Sequence, residues 1–249
     1  MPFAYADGYK IAYTVSGAGA PVVLHPGMFG DGGHWAYLGY TEVLAAAHTV
    51  IAIDPLGLGA SVAPRTPAAY TLERRAASVT AVLDDLGLDR AAFWGYSLGA
   101  LTGYAVAVRA PERLTRLVAG AFDPYGFMAR VPVVLAALGL PADHDPYELV
   151  RGGALESAYQ VAVIEAGDAA AHRANYEAFS REPGLADRLA ASEVPTLMYA
   201  GTAGPWHEPM RDYARSHGAE FFSVADADHA TALRRPADVL PRVRDFLSR

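Results

Sequence analysis

The segment Gly95-Tyr96-Ser97-Leu98-Gly99 limits what this chain can fold into more than any other stretch of it. Ahead of it runs Ala91-Ala92-Phe93-Trp94, short and apolar, which reads as a buried strand. Behind it runs Ala100 to Val108, apolar at helical spacing and closed by Arg109-Ala110-Pro111. Strand, G-x-S-x-G and helix in that order describe a sharp turn that lifts a serine hydroxyl out at the carboxyl end of the strand. Small neighbours let such a turn pack and let the helix sit close to the strand. The helix then aims its free N–H groups at an anion developing beside the serine. Ser97 is therefore a candidate nucleophile.

The bulk properties narrow the class. At 249 residues, 52% hydrophobic and 19% charged, the chain fits one large α/β domain or one domain carrying an insertion. A net charge of -7 with only short basic pairs, Arg74-Arg75 and Arg234-Arg235, disfavours a nucleic-acid partner. There is no cysteine, hence no disulfide framework and no thiolate chemistry. The eight histidines are scattered and match no metal-ligand spacing, so neither a metal nor a cofactor is expected. No apolar stretch is long enough to span a bilayer, and the amino terminus does not resemble a signal peptide, so a cytoplasmic protein is expected.

Along the chain, Phe3 to Ala6 and Tyr9 to Val15 flank Asp7-Gly8 as a β-hairpin. Buried strands are expected at Val22-Val23-Leu24, Thr49 to Ile53, Leu117 to Phe122, Pro195 to Ala200 and Glu220 to Val224. Helices are expected over Tyr40 to Ala47, Thr71 to Leu86 and Ala237 to Leu247. This alternation predicts a mostly parallel, eight-stranded sheet with helices on both faces. The rhythm breaks between about Tyr125 and Ser192, where helical stretches run without a strand. The predicted organisation is a core of residues 1–123 and 193–249 with a helical cap inserted at 124–192.

A serine hydroxyl needs an adjacent base. His229, in Asp226-Ala227-Asp228-His229-Ala230-Thr231, follows the last strand and precedes the last helix, which puts it in a loop at the edge that carries Ser97. A tetrahedral oxyanion needs N–H donors already aimed at it. Leu24-His25-Pro26-Gly27-Met28-Phe29-Gly30 turns over the same edge, and the backbone N–H groups of Met28 and Leu98 are the candidate pair. Tyr96, Phe29 and Trp35 are candidate substrate contacts, although Trp35 also suits core packing. Met128, Val133, Val134, Leu135 and Leu138 suggest an apolar cap helix whose underside would suit a substrate with an apolar portion.

These residues resemble the α/β-hydrolase superfamily: the Gly95–Gly99 turn, the His25-Pro26-Gly27-Met28 loop, and Asp54-Pro55-Leu56-Gly57-Leu58-Gly59-Ala60-Ser61, which is similar to the family's D-x-x-G-x-G-x-S turn. His229 lies where the family keeps its histidine. The resemblance covers essentially the whole chain and implies fold more than substrate. It gives Asp54 a turn-holding role. It also places an acid after the penultimate strand, commonly as G-x-x-D-P, where this chain reads Gly201-Thr202-Ala203-Gly204-Pro205. Glycine stands in place of the carboxylate. Asp123, at the end of the strand after the elbow helix, is the favoured substitute, because some family members resemble this arrangement. Glu208 and an acid-free Ser-His pair are the alternatives, while Asp226 and Asp228 sit too near His229 in sequence to be preferred. The expectation is a cofactor-independent serine hydrolase of an ester, lactone or related carbonyl compound. A non-hydrolytic chemistry on the same scaffold and a ligand receptor with a slow site are its competitors.

Overall fold

The computed structural model describes all 249 residues. Eight strands form one sheet: β1 (Phe3–Ala6), β2 (Tyr9–Ser16), β3 (Ala20–His25), β4 (His48–Ile53), β5 (Ala91–Tyr96), β6 (Leu114–Gly120), β7 (Thr196–Gly201) and β8 (Glu220–Val224), in the spatial order β1-β2-β4-β3-β5-β6-β7-β8. β1 with β2, and β2 with β4, are antiparallel; every later pairing is parallel. Asp7 and Gly8 both take positive φ, at 50° and 81°, the backbone that a tight hairpin turn needs to match the twist of its strands.

The helices are α1 (Gly33–Tyr37), α2 (Tyr40–Ala45), α3 (Leu72–Asp85), α4 (Leu98–Arg109), α5 (Phe127–Ala137), α6 (Pro146–Leu155), α7 (Ala158–Ala166), α8 (Ala169–Ser180), α9 (Ala186–Leu189), α10 (His207–His217) and α11 (Pro236–Leu247). β5 lies inside the parallel part, and every one of its residues is buried. Its alternation therefore sorts apolar side chains between two cores rather than between core and water. Ala92, Trp94 and Tyr96 pack with Trp35, Tyr40 and α11, whereas Ala91 and Phe93 pack with α3, α4 and α10.

β6 starts and stops earlier than the sequence suggests. Ala121 leaves the ladder with φ at 51°, so the expected strand residues Ala121 and Phe122 belong to the loop above the sheet edge. Four of the five non-glycine residues with positive φ stand just past a strand at this edge: Phe29 after β3, Ser97 after β5, Ala121 after β6 and Asp226 after β8. Such conformations cost of order 1–3 kcal/mol each and persist only where their surroundings hold them.

Five helices, α5 to α9, occupy the stretch between β6 and β7 as a helical cap. Their starts are written locally: Asp145, Ser157 and Asp168 accept amide hydrogens in the first turns of α6, α7 and α8. A buried polar link joins cap to core, Arg75 Nη2 to Asn175 Oδ1 at 2.6 Å, and a part-buried one runs from Arg130 Nε to Asp123 Oδ2 at 3.0 Å. No helix is long and apolar enough to cross a membrane.

Candidate active site

Steric exclusion shapes the elbow. A Cβ on Gly95 would run into the Gly99 carbonyl, and a Cβ on Gly99 into the His25 carbonyl, so β5, α4 and the loop after β3 meet at a distance only glycine permits. Ser97 sits at φ 56° and ψ -117°. Main-chain bonds hold it there: its N–H donates to the Gly120 carbonyl at 2.8 Å, and its carbonyl accepts from Ala100 and Leu101. The Leu98 amide opens α4, where helix amides lack intrahelical acceptors.

Ser97 Oγ lies 3.1 Å from Nε2 of His229, brought there across 132 residues of chain. The imidazole is wedged between Tyr96 and Trp206, with ring centroids 5.6 and 4.5 Å away. Burial among these rings pulls its pKa from 6.5 down to about 4, opposed by the main-chain carbonyl of Ala121 and the charge of Asp228. The Tyr96 hydroxyl donates to the His229 carbonyl at 2.5 Å, so Tyr96 holds the base loop rather than a substrate. Trp206 escaped the sequence reading, although its place two residues after Gly204 was a usable signal.

No carboxylate reaches the other side of the ring: Nδ1 of His229 is buried and lacks a hydrogen-bond partner. Asp123 is fully buried, but its Oδ1 accepts from the Tyr125 amide at 2.9 Å and its Oδ2 from Arg130, so the expected acid is spent on a turn and on the cap. Burial nonetheless pushes the Asp123 carboxyl above its usual range, with Arg130 opposing. Glu208 pairs with His207 and Arg211 instead. Asp228 caps its own turn through the amides of Ala230 and Thr231. Gly204 lies directly against the His229 loop, where a Cβ would meet the His229 amide nitrogen at 3.5 Å and the Gly201 carbonyl at 3.3 Å.

The loop after β3 packs onto Ser97; a Cβ on Gly27 would stand 3.1 Å from the Ser97 Cβ. The Gly30 amide donates to the Gly27 carbonyl at 3.1 Å, closing a four-residue turn with Phe29 third at φ 61°, the pattern of a type II turn. A core anchor and a cap anchor hold this loop. From the core, buried Asp54 accepts from the Gly32 amide at 2.9 Å and from the Ala60 amide at 2.9 Å, the turn-holding role expected of it. His25 is buried with Nδ1 3.1 Å from the Pro26 carbonyl, and burial holds its pKa at about 4.

From the cap, Gln160 donates to the Met28 carbonyl at 3.3 Å and the Tyr159 hydroxyl to Asp31 at 2.5 Å. Phe29 is only 1% exposed, enclosed by Tyr147 and His172 at 6.2 and 5.4 Å between centroids, and so is a packing residue rather than a substrate contact. Trp35 is likewise 1% exposed, set against Tyr40 and Trp94 on the opposite side of the sheet from α3 and α4. A cavity of about 450 Å³ opens between α7 and the loops after β3 and β4; Asp31, Leu58, Tyr159 and Val163 line it and Ser97 does not. No group of three His, Asp or Glu side chains is placed to hold a metal ion.

This architecture has known counterparts. The family model for the alpha/beta hydrolase fold matches residues 20–128. A RutD protein of Azorhizobium caulinodans, named for carbamate hydrolysis, is 32% identical over 214 residues, covering 80% of this chain and 79% of its own. The chain belongs to the α/β-hydrolase family. Among solved structures, the enol-lactonase of Burkholderia xenovorans LB400 superposes with a TM-score of 0.80 at 26% identity, covering 100% of both chains. A hydrolase of Pseudomonas aeruginosa PA01 superposes with a TM-score of 0.82 at 27% identity, covering 100% of this chain and 98% of that one.

Proposed function

We propose that this α/β hydrolase is a cofactor-independent serine hydrolase that cleaves an ester, a lactone or a related carbonyl compound such as a carbamate, using Ser97 and His229 without an acid. The Ser97 Oγ to His229 Nε2 distance of 3.1 Å carries this reading. Ser97 Oγ attacks the substrate carbonyl carbon as its proton passes to Nε2. The N–H groups of Met28 and Leu98 receive the oxyanion. Collapse expels the leaving group, protonated by the imidazolium, and leaves an acyl group on Ser97. His229 then takes a proton from water, which attacks the acyl carbon and frees the serine. The names of the relatives supply the substrate classes, since carbamate hydrolysis and enol-lactone opening both begin with attack on an activated carbonyl.

Without a carboxylate at Nδ1, imidazolium formation is stabilised only by main-chain and distant charge, so proton transfer is the costly step. In this reading residues 124–192 act as one cap over the site. Ser97→Ala should lower turnover of short p-nitrophenyl esters by about a thousandfold or more in a folded protein. Unchanged hydrolysis by that variant rejects the nucleophile assignment.

The orphaned Nδ1 favours one alternative, a carbonyl chemistry on the same residues that does not end in hydrolysis. Product formed in ¹⁸O-labelled water without incorporated label would select it.

A further inference from the structure

We infer that Gln160 and Tyr159, on cap helix α7, are positioning residues for the oxyanion hole. The inference rests on the reading that the Met28 amide is an oxyanion donor, and it adds a dependence of that donor on the cap.

Met28 and Phe29 are the two central residues of the turn closed by Gly30 on Gly27. Turns of types I and II differ by a flip of the peptide between those residues, which here carries the Met28 carbonyl and the Phe29 amide. An L-residue at the third position disfavours the type II form, where glycine is the usual occupant. Yet Phe29 holds φ at 61°. The atom that a flip would carry away is the Met28 carbonyl oxygen, and Gln160 Nε2 donates to that atom at 3.3 Å. The Met28 amide shares its peptide plane with the Gly27 carbonyl, which the Gly30 amide holds, and Gln160 holds the next plane. Together they fix both peptides flanking the Met28 Cα, and with them the amide that must aim at the oxyanion.

Three further contacts set Gln160 in place. Ser157 caps α7 by accepting from the Gln160 amide, which fixes the helix start beside the loop. The Tyr159 hydroxyl donates to Asp31, three residues beyond Met28, at 2.5 Å. The Tyr159 ring stacks on buried His34 with centroids 5.1 Å apart and planes inclined by 8°. Tyr147 of α6 and His172 of α8 close on the Phe29 ring. Three cap helices thus grip one short loop, and Gln160 is the cap residue that hydrogen-bonds the peptide a flip would turn.

The test uses the full chain with a p-nitrophenyl ester and an aryl trifluoromethyl ketone, whose adduct with a serine carries an oxyanion. Gln160→Met keeps the volume and removes the donor. It should lower kcat about tenfold, leave KM within about twofold and weaken the ketone in proportion to kcat. Gln160→Lys, which restores a donor of sufficient reach, should recover most of the loss. Tyr159→Phe, which keeps the stack and deletes the bond to Asp31, should lower kcat about threefold with KM unchanged. Full kcat and ketone affinity in Gln160→Met, a rise in KM alone, or a lower Tm with kcat preserved overturns the inference. Ser97→Ala run alongside separates the two failures: if it stays active the hydrolase reading falls, and if it is inactive while Gln160→Met matches the parent only the clasp falls.

Discussion

Ser97 and Phe29 both hold an unfavourable positive φ, 56° and 61°, in two loops that touch each other, but different means keep them there. Around Ser97 the restraints are main-chain: bonds to Gly120, Ala100 and Leu101, and glycines that let three backbones converge. Around Phe29 one main-chain bond, Gly30 to Gly27, closes the turn, and the other restraints are side chains from distant sequence: Tyr147, Gln160 and His172 from the cap, with Asp54 bracing the same loop from the core. A main-chain restraint has almost no freedom to lose and fails only if the fold fails. A side-chain restraint can be loosened one contact at a time, so the proposed nucleophile should be all-or-none and the proposed oxyanion loop adjustable.

The strongest attempt to break this contrast is Gly99→Ala. The added methyl meets the His25 carbonyl, and neither backbone can yield, so stability should fall by about 4 kcal/mol or more together with activity. Denaturant unfolding measures it, and a stable, active Gly99→Ala protein would remove the main-chain half of the comparison.

Gly204→Asp acts on the proposed base, His229. A carboxylate beside His229 should orient the ring and stabilise the imidazolium, raising kcat about tenfold or more. The sign of the pH effect follows. The parent imidazole stays neutral down to about 4, which sets the acid limb of kcat/KM, whereas an adjacent negative charge favours the protonated ring and moves that limb upward. The same factor of improvement in Gln160→Met would show the base and the oxyanion loop to be independent; unequal factors would show them coupled.

The smallest effect is expected from Asp54→Asn. One side-chain oxygen cannot accept from both Gly32 and Ala60, so stability should fall by about 1–3 kcal/mol, with kcat changed less than in Gln160→Met. A larger kcat loss in Asp54→Asn would make the core, not the cap, the main support of the loop.

The same contrast explains what the sequence revealed. Gly95, Ser97 and Gly99 are legible because close approach of backbones demands glycine at fixed spacing, and His229 because chain order brings its loop to the same edge. The helices of the cap were legible as an interruption, since no alternating strand pattern runs through them. Nothing local to Gln160 or Tyr159 marks their partners more than a hundred residues away, because side-chain contacts across a cap leave no period in sequence. Asp123 misled for a related reason. Its place at the end of β6 suits a catalytic acid, but the arginine that claims its carboxylate lies on α5, and which way Arg130 turns is decided by packing alone.

Gly204 gives the site an unusual experimental standing. The share of a catalytic acid is ordinarily inferred by deleting it, which also leaves a hole and stray hydrogen bonds behind. Here no carboxylate sits at Nδ1 of His229, and the surrounding loop is folded without one. The contribution of a third member to the proposed Ser97-His229 pair can thus be read by addition.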